Sequence, residues 1–85
     1  MKIKGLDKAY SHCKRLGKEL CALYESVGDK QEEIRERIRL IGSESPRQED
    51  DLRLLSSLAG NLYDFVSEHL APLIGKLEKV RDFEE

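Results

Sequence analysis

Seven side chains offer raw material for chemistry: Tyr10, His12, Cys13, Cys21, Asp64, Glu68 and His69. A thiol or imidazole could act as nucleophile or base, and Asp64 and Glu68, one helical turn apart, could divide general acid and base work between them. None of the seven falls into a pattern that pairs a nucleophile with a base. A metal site in a helical protein asks for E-x-x-H on facing helices or H-x-x-x-H on one, and neither occurs. Glu68 and His69 are neighbours, so on a helix they point about 100° apart. The two acids therefore read as solvated, and His69 as a half-buried polar contact to an opposite helix. Cys13 and Cys21 behave as small hydrophobes, Cys13 in the core and Cys21 just off it, where it could meet a symmetry mate. The expectation is a protein without catalytic residues, metal ligands or cofactor.

The elements that hold these residues are legible from apolar spacing. Ile3, Leu6, Tyr10, Cys13, Gly17, Leu20, Tyr24, Val27, Gln31, Ile34, Ile38 and Ile41 follow steps of three and four, a heptad-like stripe. A second stripe runs through Leu52, Leu55, Ala59, Leu62, Val66, His69, Leu73, Lys76, Val80 and Phe83, interrupted by polar residues only at His69 and Lys76. Between the stripes, Gly42 can close one helix. Ser45, Pro46 and Gln48 form the S-x-x-Q start of another. The spacing predicts an all-α chain, a single helical domain over 1–85, with helix 1 over about 6–41, a turn at 42–45 and helix 2 over about 46–82.

So short a turn implies an antiparallel hairpin, in which the numbers of facing residues sum to about 87. This register sets Gly17 near Leu70, Gly28 near Ala59 and Gly60, and Gly75 near His12, and makes the glycines candidate close-approach points. It also sets Lys2, Lys4 and Lys8 beside Glu78, Asp82, Glu84 and Glu85. Gly28, followed by the D-x-x-E start at Asp29, predicts a kink in helix 1, with a break and three helices as the alternative. Pro72 lacks a backbone donor and predicts a second kink.

Eighty-five residues, 38 % charged and 39 % hydrophobic, leave a small core. Yet Leu54, Leu58, Tyr63, Phe65, Leu70, Ile74 and Leu77 on helix 2, with Ala9, Leu16, Leu23 and Leu40 on helix 1, add an apolar face wider than one hairpin covers. The expected interface is Leu16, Leu20, Leu23, Leu55, Leu58, Leu62, Phe65 and Val66, joining hairpins into a four-helix or larger bundle or receiving a partner protein. No apolar run approaches the roughly 20 residues of a spanning helix, and no secretion signal precedes the first helix, so a cytoplasmic location without membrane contact is expected. Cys13 and Cys21 stand about 12 Å apart along one helix, too far for a bridge within it.

A net charge of −2 argues against duplex nucleic acid as partner. The charge is uneven, however: residues 1–28 carry six basic and three acidic groups (+3), and 29–85 carry nine and fourteen (−5). Glu32 with Arg35 and Glu33 with Arg37 read as solvated ion pairs along a helix. Lys4, Lys8, Tyr10, Lys14, Arg15 and Lys18 form a basic end that could hold an anion, with Arg15 able to grip a phosphate through two nitrogens. The plainer reading is that these cations answer the acidic C-terminal turn.

The segment Lys14-Arg15-Leu16-Gly17-Lys18-Glu19-Leu20-Cys21-Ala22-Leu23, a K-x-x-G-x-x-L-x-x-L pattern preceded by Ile3-Lys4-Gly5, is similar to the first long helix of small phage proteins that sequester cyclic oligonucleotides. The likeness spans little more than a dozen residues. The Arg-Trp pair and glutamine-containing run of that family's second helix have no counterpart here. The resemblance implies an anionic small molecule, such as a cyclic nucleotide, as a ligand class. The expected function is thus a non-enzymatic, homo-oligomeric or partner-docking helical protein, with sequestration of a phosphate-bearing small molecule as the alternative. A thermal-shift screen separates them: a nucleotide ligand raises the melting temperature by mass action, and Lys14→Ala or Arg15→Ala abolishes the rise.

Overall fold

The computed structural model describes residues 3–42 and 45–84. Helix α1 runs from Leu6 to Ile41, α2 from Pro46 to Phe65, and α3 from Ala71 to Glu84, with a π-helical turn at Val66–Leu70 joining the last two into one helical run. The two runs fold back on each other as a helical hairpin, a rod 64 Å long and 15 Å across. Among the described residues there is no strand.

The ends of the helices follow local chemistry. Gly5 and Gly42 both adopt left-handed φ, 85° and 82°, a region closed to most residues with a Cβ. At Gly42 the backbone N–H donates to Ile38 O at 2.7 Å and ends α1. Ser43 and Glu44, central to the predicted turn, lie outside the described residues. Ser45 then caps α2: the Gln48 N–H donates to Ser45 Oγ at 3.2 Å, while the Ser45 N–H donates to Gln48 Oε1 at 3.1 Å, with Pro46 at the first helical position. Helix α1 passes through Gly28 unbroken, so the three-helix alternative does not hold.

The hairpin register matches the expected pairing over most of its length. Gln31 Nε2 donates to Ser56 Oγ at 2.9 Å, the Tyr24 and Tyr63 rings are 6.5 Å apart, and Leu70 Cδ2 lies 3.6 Å from where a Cβ on Gly17 would stand. The numbers in each of these pairs sum to 87. Nearer the chain ends the sum rises by one: Tyr10 meets Glu78, and Asp7 meets Arg81. The π turn accounts for the step, because closing one turn with an extra residue carries the chain forward by one position.

That insertion corrects the second stripe. Beyond Val66, the residues turned to α1 are Leu70, Ile74 and Leu77, whereas His69, Leu73 and Lys76 are exposed. His69 makes no half-buried contact across the seam; its ring sits 6.1 Å from Phe65 on its own helix. The Ala71 N–H reaches back to Val66 O, five residues away, in place of an α-helical bond. The glycine expectation is corrected too. A Cβ at Gly28, Gly60 or Gly75 would meet nothing within 4 Å, and one at Gly17 would make ordinary contact with Leu70 at 3.6 Å, so none of these positions is a close approach that requires glycine.

The seam buries few side chains completely. Val27, Ile34 and Leu70 are 5 %, 6 % and 3 % exposed, and they form the core. Burying a leucine contributes roughly 1.5–3 kcal/mol, so each of these matters in a hairpin this small. Leu70→Ala should lower the unfolding free energy in urea by about 2–5 kcal/mol, and Lys76→Ala should change it by less than about 0.5 kcal/mol. The uninterrupted heptad would bring Lys76 into the seam, so a large loss at Lys76 and a small one at Leu70 would overturn the shifted register.

Candidate functional site

Once the seam is fixed, counting about 100° per residue assigns each remaining side chain to one flank of the rod. Leu16 and Leu23 bracket Leu20 on α1, and Leu58 and Phe65 bracket Leu62 on α2 with the same spacing and the same sense. The hairpin therefore presents all four on one side. Leu40, Leu54, Leu73 and Phe83 continue this side toward both ends of the rod. Every one of these except Leu16 is an exposed large hydrophobic residue, Phe65 at 43 % and Leu54 at 70 %. Leu20, Leu55, Leu62 and Val66 lie deeper, half-buried along the seam beneath it.

The opposite flank has a different character. It carries Tyr24 against Tyr63 at 45° between ring planes, and the Gln31–Ser56 hydrogen bond. A groove of about 380 Å³ runs there between Leu20, Cys21, Tyr24 and Glu25 on one side and Leu62, Tyr63, Val66 and Ser67 on the other. Small residues open this flank, and the tyrosines bridge it, whereas among the described residues no ring pair or polar pair bridges the leucine flank. Cys13 is half-buried and Cys21 is exposed, both as free thiols.

The six residues of the expected basic site are not gathered at one point. Lys14 and Lys18 line an open groove of about 530 Å³ with Gly17, Cys21, Ala22, Glu25 and Ile74. Lys8 and Arg15 lie about 100° or more around the helix from Lys14, and Lys4 precedes α1. Three members are already engaged. Tyr10 donates its hydroxyl to Glu78 Oε1 at 2.7 Å, with Lys14 Nζ 5.3 Å and Arg81 Cζ 4.3 Å from its ring centroid. Arg15 Nη2 lies 3.0 Å from His12 Nδ1.

The ion pairing expected at this end takes another form. Among the described residues, Lys4 and Lys8 pair with no acid; Arg81 on α3 instead donates to Asp7 Oδ1 on α1 at 2.7 Å. Lys2 and Glu85 fall outside the described residues. Farther along α1, Arg35 meets Glu32 at 3.0 Å and Arg37 meets Glu33 at 2.8 Å, as solvated pairs on the rod's outer surface. Asp64 and Glu68 are exposed, and no described hydrogen bond or ion pair joins them. Among the described residues, no three His, Cys, Asp or Glu come together to hold a metal ion, and no helix is long and apolar enough to cross a membrane.

The chain matches no family model, no curated protein and no solved structure. What the fold defines is a helical hairpin with one leucine-rich flank and one tyrosine-bridged flank. Sequence reasoning found the other leucines by their positions outside the stripes but missed Leu73 and Phe83 as flank residues, because the heptad placed both in the seam. It also missed Arg81 as the cation that closes the chain-terminal end. Arg81→Ala removes both the Asp7 pair and the contact with the Tyr10 ring, and should cost about 1 kcal/mol. Hydrogen exchange at residues 9–13, where the α1 amides begin to donate to carbonyls four residues back, should speed up several-fold while amides near Val27 keep their protection. Equal acceleration throughout α1 would show that Arg81 does not act locally.

Proposed function

We propose that this chain is a non-enzymatic interaction protein that acts through its leucine flank, by assembling hairpins into a four-helix or larger bundle or by docking on a partner's helix. The observation that carries this reading is the placing of the exposed leucines: Leu23, Leu40, Leu54, Leu58 and Leu73 share one flank. A hairpin that ended its folding there would leave a contiguous apolar strip in water, and strips of this kind mark interaction surfaces. Leu16, Leu23, Leu58 and Phe65 would supply the central contacts, over Leu20, Leu55, Leu62 and Val66. Gly28 and the π turn beside Pro72 are the points at which each rod would bend to wrap its partner.

Sequestration of a phosphate-bearing molecule by the basic end has less support. Its six residues point in different directions, Tyr10 is held by Glu78, and Arg15 faces His12.

Sedimentation equilibrium and binding of an apolar dye test the flank together, on the unmodified chain and on a Leu58→Glu/Phe65→Glu variant. The reading expects either a mass above the 9.8 kDa of one chain that falls to 9.8 kDa in the variant, or a monomer whose dye binding the variant abolishes. The dissociation constant of the assembly should rise, or dye binding fall, at least tenfold, since two charged groups placed in a buried apolar contact cost several kcal/mol. An assembly that survives the substitutions, or a monomer that binds no dye, would overturn it. Circular dichroism of the variant separates lost assembly from lost helix.

A further inference from the structure

The leucine flank and the charge of the rod together indicate what covers that flank. Tyr24 and Tyr63 face one another near the middle of the rod and divide it into two halves. Residues 24–63, the half containing the turn, carry six basic and nine acidic groups, or −3. The remaining residues, the half containing both chain ends, carry nine basic and eight acidic groups, or +1, and the two values add to the −2 of the whole chain. The rod is therefore electrically polar from end to end.

The apolar flank is centred on the same midpoint. By the hairpin register, Phe65 lies level with residue 22, beside Leu23. Leu58 lies level with residue 29 and Phe83 with residue 5. Leu16 and Leu58 are then equidistant from the centre, and so are Leu40 and Phe83. Turning one rod end for end over another would bring Leu16 into the layer of the second rod's Leu58, and Leu40 into the layer of its Phe83, with Leu23 and Phe65 at the axis. The side involved, roughly 50 Å by 15 Å, offers on the order of 800 Å², about what one partner contributes to a standard stable interface.

Resting on the flank reading above, we propose that the occupant of the leucine flank is a second copy of this chain, packed face to face and running in the opposite direction about a two-fold axis through Leu23 and Phe65. A two-fold contact uses the same patch on both copies, so the flank must be complementary to itself, and this spacing makes it so. Apolar overlap alone would accept either direction. Charge selects between them: rods running the same way set −3 against −3, whereas opposed rods set +1 against −3 at both ends. Complementary potentials of this kind fix orientation more than they add affinity.

Light scattering and spin-label distances test the proposal. The unmodified chain should scatter as a dimer. A label on Arg39→Cys, in a Cys13→Ser/Cys21→Ser background, should report a distance of roughly 50 Å between copies, from 1.5 Å per residue on either side of the axis. A dimer with labels closer than about 30 Å would overturn the opposed arrangement while leaving the flank reading intact. A monomer that binds apolar dye at the flank would overturn the second copy and leave the flank to a different protein; a monomer that binds none would overturn both. Should the label background lose the dimer, carboxyl-to-amine cross-linking of a mixture of light and ¹⁵N-labelled unmodified chain decides the direction. Links between copies from Lys76 or Lys79 to Asp50 or Asp51 are expected, and links from those lysines only to acids of the chain-end half would refute it.

Discussion

Leu70 packs on α1 over Gly17, its Cδ2 3.6 Å from where a Cβ would stand, and this contact between the two helical runs sets the alignment on which the rest of the rod depends. A hairpin has one seam and no third element to correct an error in it. A slip of one residue would turn each inward side chain by about 100° and bring its neighbour into contact instead. With Leu70 seated on Gly17, Ile74 and Leu77 follow toward α1, and Tyr10 and Asp7 meet Glu78 and Arg81. The π turn is what reconciles that seating with the register set at Gln31 and Ser56.

The same alignment determines what is left outside. Two helices in contact cover a narrow strip of each other, and here that strip buries Val27, Ile34 and Leu70 thoroughly while the remaining seam residues stay partly accessible. Ion pairs such as Glu33–Arg37 and Glu49–Arg53 support the helices locally, but at exposed positions each contributes only a few tenths of a kcal/mol. Stability and association are then linked. Any partner that covers the leucine flank of the folded chain, and not of the unfolded one, draws the equilibrium toward the folded state.

Helix limits and the first half of the register were legible because they depend on local chemistry: left-handed Gly42, the Ser45–Gln48 box, and apolar steps of three and four. The second half was not, because a heptad count assumes one period throughout. Its own signal was present in His69 and Lys76, two polar residues on an apolar stripe, each followed at once by leucine. Reading the polar pair as interruptions kept the period and misplaced the leucines; reading them as a change of period would have located the π turn. The expected basic site failed to converge for a related reason. Closeness in sequence gathers Lys8, Lys14 and Arg15 into one stretch, while helical phase spreads them around the helix. The charge pairing at the chain ends was expected from net charge by segment, which cannot say that Arg81 rather than a lysine meets an acid across the seam.

The π turn also has a meaning in terms of chain length. Val66, Leu70, Ile74, Leu77 and Arg81 advance by four, four, three and four residues; with one residue fewer between Val66 and Leu70, the advance becomes three, four, three and four. The wide turn at 66–70 is thus equivalent to a single-residue insertion into an otherwise regular heptad helix, accommodated by loosening one turn and preserving the facing pairs beyond it. A sequence one residue shorter at this place could form the same hairpin with an unbroken α-helix, so the two lengths would be interchangeable solutions to one packing problem.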